Sequence, residues 1–545
     1  MTTFLRFITC IALTLTIPWA FAASDAESLS TPNILVIIVD DMGFSDPGCY
    51  GGEIETPNVD SLAANGLRFT QFYNTARCWP TRTALMTGCY PQRVGSDPVI
   101  PGGKLPQGTM LIPHYLKPLG YRSYHSGKWH VPLAPLPCTD GGFDRSYEQQ
   151  DSDRNFYPNS HCLDEKPLPP VQPDSNHYST TAIADYAIAQ LREHAEKTPH
   201  LPFFSYVAFM SPHFPLHAPQ KDIDKYRDTY QVGWDVIRQR RYEKLKTMGI
   251  VNCSLSPLEE VGPPYNFDNL APLGEGEVFI PKPWSQLTHA QKAFQAAKMS
   301  IHAAMVDCID QEVGKIIAQL KQMDAFDNTV IFFLSDNGAS AEIMIRGDGH
   351  DPSVPSGSGK SFLCLGPGWS TASNTPFRRH KVWVHEGGIS TPLVVHCPKL
   401  ITAANHGKFR KQPGHVVDLL PTILELAGAT VPDTFDGVKS FALSGASFCD
   451  SILAADDNVS NKTKPRTLFF SHEGNRAIRV GDYKAVSAAK TRQGDDEWRL
   501  YDLSQDRSEQ NDLSEKMPEK RNELVNTWNT LDKQFRKEES EKVRK

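Results

Sequence analysis

The segment Asn33-Ile-Leu-Val-Ile-Ile-Val-Asp40 constrains the fold most, because its apolar residues run on without polar alternation. A strand with one wet face alternates; an unbroken run is what a strand needs when both its faces are covered, as in a parallel sheet between layers of helices. Gly120-Tyr-Arg-Ser-Tyr-His125, Pro202 to Met210, Thr329 to Leu334 and Thr391 to His396 read the same way. Helical patterns lie between them, over 180–196 and 290–323. Strands alternating with helices predict an α/β fold with a large mixed, mostly parallel sheet flanked by helices.

The pattern changes after Leu426. The stretch His415 to Gly428 reads as a helix ended by its glycine, which closes a first domain over 32–428. Residues 429–545 then predict a smaller subdomain: short antiparallel strands between Leu468 and Leu503, and a terminal helix whose buried face carries Leu524, Trp528, Leu531 and Phe535. The final Glu538 to Lys545 reads as a solvated tail, and there is no internal repeat.

Residues 1–22 combine Arg6, an apolar run from Phe7 to Phe21 and the small-residue site Ala20-Phe21-Ala22, the pattern of a removable signal peptide. The alternative is a retained N-terminal anchor. No later run approaches the roughly 20 apolar residues of a spanning helix, so an exported protein without a membrane span, periplasmic or secreted, is expected. The formal charge of -7, with both signs interspersed, argues against a nucleic-acid partner. Without Cys10, ten cysteines remain, too scattered for a disulfide framework; Cys138 and Cys162, flanking a loop-like insertion, are the pair expected to bridge.

The first four of the five predicted strands run into polar clusters: the first into Asp40-Asp41, the second into Lys128-Trp129-His130, the third into Ser211-Pro212-His213, the fourth into Asp336-Asn337-Gly338. Any one of these has a bland reading as a helix cap, a turn or a solvated loop. Ligands of open α/β sheets bind beyond the carboxyl ends of the strands, so four such clusters on one edge predict a single site. Asp40, Asp41, Asp336 and Asn337 offer only oxygen, which suits calcium or magnesium rather than zinc. Lys128, Lys381, Arg82, His130 and His213 add cations and donors, a setting for a small tetrahedral oxyanion.

Cys78 opens a helix. Pro80 fits its first turn and Arg82 lies one turn on along the same face. A buried, inert thiol and a thiolate nucleophile activated by the helix N-terminus are both open readings. A third comes from resemblance: Cys78-Trp-Pro-Thr-Arg82 followed by Leu85-Met-Thr-Gly88 resembles the C-x-P-[ST]-R motif of the type I sulfatases of the alkaline-phosphatase superfamily. Val39-Asp-Asp-Met-Gly43, Glu55 to Asp60, Gly120 to His130, Ser335-Asp-Asn-Gly338 and His385 to Pro392 resemble that family's blocks in its order, and Trp498 to Leu513 resembles its C-terminal subdomain. Among its members the chain looks most like bacterial arylsulfatases. Residue 390 departs from the pattern, being Ser where many relatives carry Arg.

The resemblance implies that a maturing enzyme oxidises Cys78 to formylglycine, and that one calcium ion, rather than magnesium, is held by Asp40, Asp41, Asp336, Asn337 and residue 78. It implies hydrolysis of a sulfate monoester on a small molecule or a glycan. In that scheme one hydroxyl of the hydrated aldehyde attacks sulfur, and the other, deprotonated by His130, expels sulfate. Arg82 would hold the diol, Lys128 and Lys381 would balance the sulfate charge, and His213 would protonate the leaving alcohol. A serine ester would need water to attack a crowded sulfur, whereas a geminal diol makes release intramolecular, where alignment is worth about 7 kcal/mol or more. The alternatives are a phosphonate monoester or phosphodiester hydrolase of the same superfamily, and a non-catalytic binder of sulfated glycans whose Cys78 stays a thiol. The expected substrate-facing loops, 135–173, 248–283 and 343–377, carry no readable code, and oligomeric state is not legible.

Overall fold

The computed structural model describes residues 31–173, 175–455 and 465–542; the expected signal segment, 1–22, lies outside them. The sheet is built on β1 (Asn33–Asp40), β2 (Leu67–Tyr73), β3 (Arg122–Gly127), β4 (Arg145–Gln149), β5 (Phe203–Pro212), β6 (Thr329–Ser335) and β7 (Ser390–His396). Their order across the sheet is β2-β7-β6-β1-β5-β3-β4, extended at both edges by short strands. β1 lies parallel to both β5 and β6, and β3 lies parallel to β5 and β4. The carboxyl ends of β1, β3, β5 and β6 therefore share one edge.

β7 is the exception. It is buried along its whole length, as its apolar run predicts, but it pairs antiparallel with β6 and β2. An unbroken apolar run reports two covered faces and is silent on direction. β2, with Arg68, Thr70 and Gln71 interrupting its apolar residues, escapes the same reading.

Both faces of the sheet are dry, and β1 shows how. Leu35, Ile37 and Val39 enter one apolar cluster, while Ile34, Val36 and Ile38 enter another. Alternate side chains project to opposite faces, so each set meets its own helix layer. The first layer includes α2 (Ser179–Lys197) and α3 (His289–Gln322), the latter started by a reciprocal cap between Thr288 and Gln291. On the other side lie α1 (Cys78–Thr87) and α4 (Leu419–Ala427), and Gly428 ends α4 in the left-handed conformation.

β8 (Thr467–His472), β9 (Asn475–Val480), β10 (Tyr483–Ser487) and β11 (Arg499–Asp502) form an antiparallel sheet in sequence order. α5 (Pro518–Lys542) covers it with Leu524, Trp528 and Phe535 buried and Leu531 partly so. Phe469, Ile478, Leu500 and Trp528 belong to the same apolar cluster as Ile34 and Val36, so the small sheet shares the large sheet's core. Two expectations fail here. The region read as a solvated tail continues α5 as far as Lys542, where long charged side chains favour helix and the Lys537–Glu541 pair braces successive turns. All ten cysteines of the described residues are free thiols; Cys138 and Cys162 do not bridge, their sulfurs facing Asp164 and Glu148 respectively.

Candidate active site

The four polar clusters do converge. Gly127 ends β3 with a φ of 117°, and a side chain there would strike the Ala208 carbonyl of β5. Glycine lets the backbone turn beside that strand, and Lys128 N then donates to Ala208 O at 2.8 Å. At the end of β6, Gly338 lies where any Cβ would meet the Gly387 carbonyl, which packs the Asp336-Asn337 turn against the 386–389 helix. Asp41, Ala76, His130 and Val382 all take positive φ. Such strain at non-glycine residues, one of them β-branched, gathers around functional sites.

Asp40 and Asp41 lie 0% and 3% exposed at the tip of β1. Lys128 Nζ contacts Asp40 Oδ2, and Lys381 Nζ lies 2.8 Å from Asp41 Oδ1. Asp41 Oδ1 also accepts from Asn337 Nδ2 at 2.6 Å. Arg82 is fully buried, and its Nε and Nη2 reach Asp336 Oδ2 at 2.9 and 2.8 Å while Nη1 donates to Lys128 O at 2.9 Å. Those contacts fix Asp336 and the Lys128 turn. His213 donates Nδ1–H to Phe214 O at 2.6 Å, which leaves Nε2 facing Asp41 Oδ2 at 3.8 Å. His130 stands exposed at the mouth, its ring 5.9 Å from that of Trp79.

The electrostatics are those of crowded carboxylates. Burial, then the neighbouring Asp40, Glu342 and Asp336, push Asp41 up to about 7 against the pull of Lys381. Burial and Asp40 push Asp336 up to about 6 despite Arg82. Burial would raise Asp40 too, but Lys128, His213, Arg82 and Lys381 together hold it far below the usual carboxylate range. Two oxygens, Asp40 Oδ1 and Asn337 Oδ1, are buried with no hydrogen-bond partner. Unpartnered buried oxygens among carboxylates are what a hard cation satisfies. Asp40, Asp41 and His213 also offer atoms within 4.8 Å of one another.

Cys78 is 3% exposed at the first turn of α1, on the wall of a cavity of about 390 Å³ shared with Lys128, His130, His213 and Lys381. Burial raises its pKa more than Lys128 and Lys381 lower it. That direction disfavours the activated-thiolate reading, which needs a lowered pKa.

The sulfatase family model matches residues 32–429, and a model described as N-sulphoglucosamine sulphohydrolase, C-terminal, matches 378–540. The chain belongs to the sulfatase family. An uncharacterized sulfatase of Schizosaccharomyces pombe is 33% identical over 92% of this chain and 93% of its own. An arylsulfatase of Klebsiella aerogenes is 31% identical over 74% of this chain and 88% of its own. Among solved structures, a protein in complex with its substrate D-glucosamine-2-N,6-O-disulfate superposes with a TM-score of 0.65 at 20% identity, covering 93% of this chain and 98% of that one. A sulfatase from Pseudoalteromonas sp. gives 0.60 at 21% identity, covering 93% and 91%. The fold is thus the sulfatase fold, and the chain is a sulfuric ester hydrolase.

In this sulfatase the departure at residue 390 has a local answer. Ser390 Oγ donates to Glu386 Oε2 at 3.1 Å, and Arg507, from the end of the small sheet, brings its guanidinium to the same oxygen at 3.1 Å. Glu386 gets its cation from a distant stretch of chain.

Sequence reasoning missed Glu342, Arg77 and Glu473. Glu342 Oε2 lies 3.2 Å from Lys381 Nζ and its Oε1 lies 3.3 Å from Arg77. Arg77, beside Cys78, also reaches Glu473 at 3.7 Å and lies over the rings of Trp79 and Tyr265. The turn between β8 and β9 thereby touches both flanks of the site, because Asn475 Nδ2 donates to Val382 O at 3.1 Å, next to Lys381. Of the three expected substrate-facing loops, 135–173 supplies Glu148, Gln149, Gln150 and Ser152 to the cavity and 343–377 supplies Arg346. The loop 248–283 meets the cavity wall only indirectly, Tyr265 contacting the lining residue Arg77.

Proposed function

We propose that this enzyme hydrolyses sulfate monoesters through formylglycine at position 78 and one calcium ion. The observation that carries the reading is the pair of orphaned buried oxygens, Asp40 Oδ1 and Asn337 Oδ1, with Cys78 buried on the wall of the adjoining cavity. Asp40, Asp41, Asp336 and Asn337 would hold calcium, which lowers the charge density of a bound sulfate as a Lewis acid. Formylglycine supplies a hydrated aldehyde, whose two hydroxyls serve attack and release in turn.

The remaining work belongs to this chain's own groups. Lys128 and Lys381 are held by carboxylates on one side and face the cavity on the other, so they neutralise sulfate without collapsing into it. Arg82 fixes Asp336. The Phe214 carbonyl fixes the His213 tautomer, so Nε2 is the atom that carries a proton to a leaving oxygen. Burial, then Lys381, hold His213 well below its ordinary pKa, and the negative charge of an arriving sulfate shifts it back toward the protonated form. His130, at the mouth, serves as the base for sulfate release. Export of the mature chain and a dedicated maturing enzyme complete the reading.

A mass spectrum of the peptide containing residue 78 from active protein tests it. Formylglycine in a substantial fraction of molecules is expected; full activity with Cys78 wholly a thiol would end the proposal. The same spectrum separates the enzyme from the non-catalytic glycan binder, and a comparison of sulfate with phosphonate and phosphodiester substrates separates the superfamily alternative.

A further inference from the structure

The cavity wall beyond the sulfate-facing groups carries charge in an uneven way. Its two outer cations are both engaged: Arg77 with Glu342, Glu473 and Tyr265, and Arg346 with Asp153 Oδ1 at 2.6 Å and, through its π face, with Phe214. The outer anion is not. Glu148, at the end of β4, is 9% exposed and forms no ion pair among the described residues; burial, and then Glu165, push its pKa up against a hydrogen bond from Gln150. Its polar neighbours include the Cys162 thiol at 4.0 Å and the Gln150 amide. Beside it on the same wall stand Gln149, Gln150 and Ser152, and Trp79 offers a ring held in place by its Nε1 donating to Ser96 O at 3.2 Å.

An uncompensated carboxylate among amides and a hydroxyl accepts hydrogen bonds from neutral donors and repels anions. A second sulfate or a carboxylate reaching the β4 wall would meet Glu148, whereas Arg77 is spent on Glu342, Glu473 and Tyr265, and Arg346, anchored through Nε to Asp153, stands toward solvent. We infer that the enzyme selects sulfate esters whose remaining structure is uncharged and rich in hydroxyls, a singly sulfated sugar, and that Glu148 is the residue that discriminates against a second anionic group. The inference rests on this cavity being where the sulfate ester is cleaved.

The test is a ratio measured in one enzyme. Glucose 6-sulfate is compared with glucose 2,6-disulfate, and galactose 6-sulfate with its disulfated counterpart, with 4-nitrophenyl sulfate assayed alongside. Like charges a few ångströms apart at a partly screened site give about a tenfold or larger preference in kcat/KM for the monosulfate. Glu148→Gln should shrink that preference several-fold, and so should raised ionic strength in the wild type, since screening weakens the repulsion. The ratio is the readout, so a general loss of rate in the variant does not obscure it. A disulfate cleaved as well as the monosulfate by the wild type overturns the inference, and so does a ratio unchanged by Glu148→Gln. An enzyme that turns over 4-nitrophenyl sulfate but neither monosulfate overturns it as well. Failure on every sulfate ester would instead overturn the proposed function.

Discussion

Two clusters of buried charge sit at opposite ends of the segment 381–390, and their contrast explains which one does chemistry. Around Glu386, Lys484 Nζ lies 3.0 Å from Glu386 Oε1 and 2.8 Å from Glu509 Oε1. Arg507 and Tyr73 take the other Glu386 oxygen, and Arg479 donates to Tyr73 at 2.6 Å. Around Asp41, the ingredients are the same: buried carboxylates, a buried lysine and a buried arginine. The Glu386 cluster, however, is closed off by the small sheet, and its cations hold Glu386 ionised at about 2 against the penalty of burial. Both clusters hold a buried oxygen without a hydrogen-bond partner, Glu509 Oε1 in one and Asp40 Oδ1 and Asn337 Oδ1 in the other, and both push a carboxyl up; the Asp41 cluster differs in opening on a cavity. Burial and charge do not distinguish a functional cluster from a structural one. An opening onto a cavity does.

The largest effect expected falls at position 78. Cys78→Ala should abolish turnover, a loss on the order of 10⁴-fold or more, while circular dichroism and melting show an intact fold. Expression without a maturing enzyme should give the same phenotype with a free thiol at 78. Retained turnover in either would mean that the open cluster acts without its presumed nucleophile.

Metal removal should divide the clusters next. Asp336→Ala should lower calcium affinity and activity together, the latter by on the order of 10³-fold, and zinc should restore neither. Calcium should raise the melting temperature of the wild type and leave that of Asp336→Ala unmoved. Equal stabilisation of both by calcium would place the ion elsewhere.

The two histidines should separate by leaving group. His213→Ala should slow esters of sugar alcohols by roughly 10²-fold or more while sparing esters of acidic phenols, which leave without protonation. His130→Ala should give a burst of phenol from an aryl sulfate followed by a slow steady state, because its work follows departure of the alcohol. Loss of turnover in His130→Ala with no burst would move that histidine into the first step.

What the sequence disclosed follows from where each signal is written. The central strands were legible because two covered faces demand unbroken apolar runs, and Asp40, Asp41, Lys128, His213, Asp336 and Asn337 because each stands directly after one of them. β2 was not, since polar residues break its run, and the antiparallel sense of β7 was not, since direction leaves no mark on composition. Glu342, Glu473 and Glu148 were invisible for another reason. Their importance is set by which distant cation they meet or fail to meet, and nothing within a few residues records it. The bridge expected of Cys138 and Cys162 failed for the same reason: flanking a common loop does not aim two sulfurs at each other.

The smallest effect expected tests the closed cluster by its pH dependence. Burial alone would raise Glu386, but Lys484, Arg507 and Arg479 outweigh it and hold the carboxyl at about 2. An unfolded glutamate titrates near 4.3, so the folded state binds its proton less readily, and the stabilisation is fully present above about pH 4.3. It is lost as pH falls toward 2, and because Glu509, which shares Lys484 with Glu386, is pushed up by burial, the two carboxyls titrate as a pair. Glu386→Gln cannot lose that stabilisation. The wild type should therefore unfold at higher urea than Glu386→Gln near pH 6, and the gap should narrow steadily between about pH 4 and pH 2. Calcium should not alter that gap, because the ion's expected ligands lie in the other cluster. A gap that widens on acidification would mean that Glu386 is buried protonated, and one that depends on calcium would mean that the two clusters are a single network.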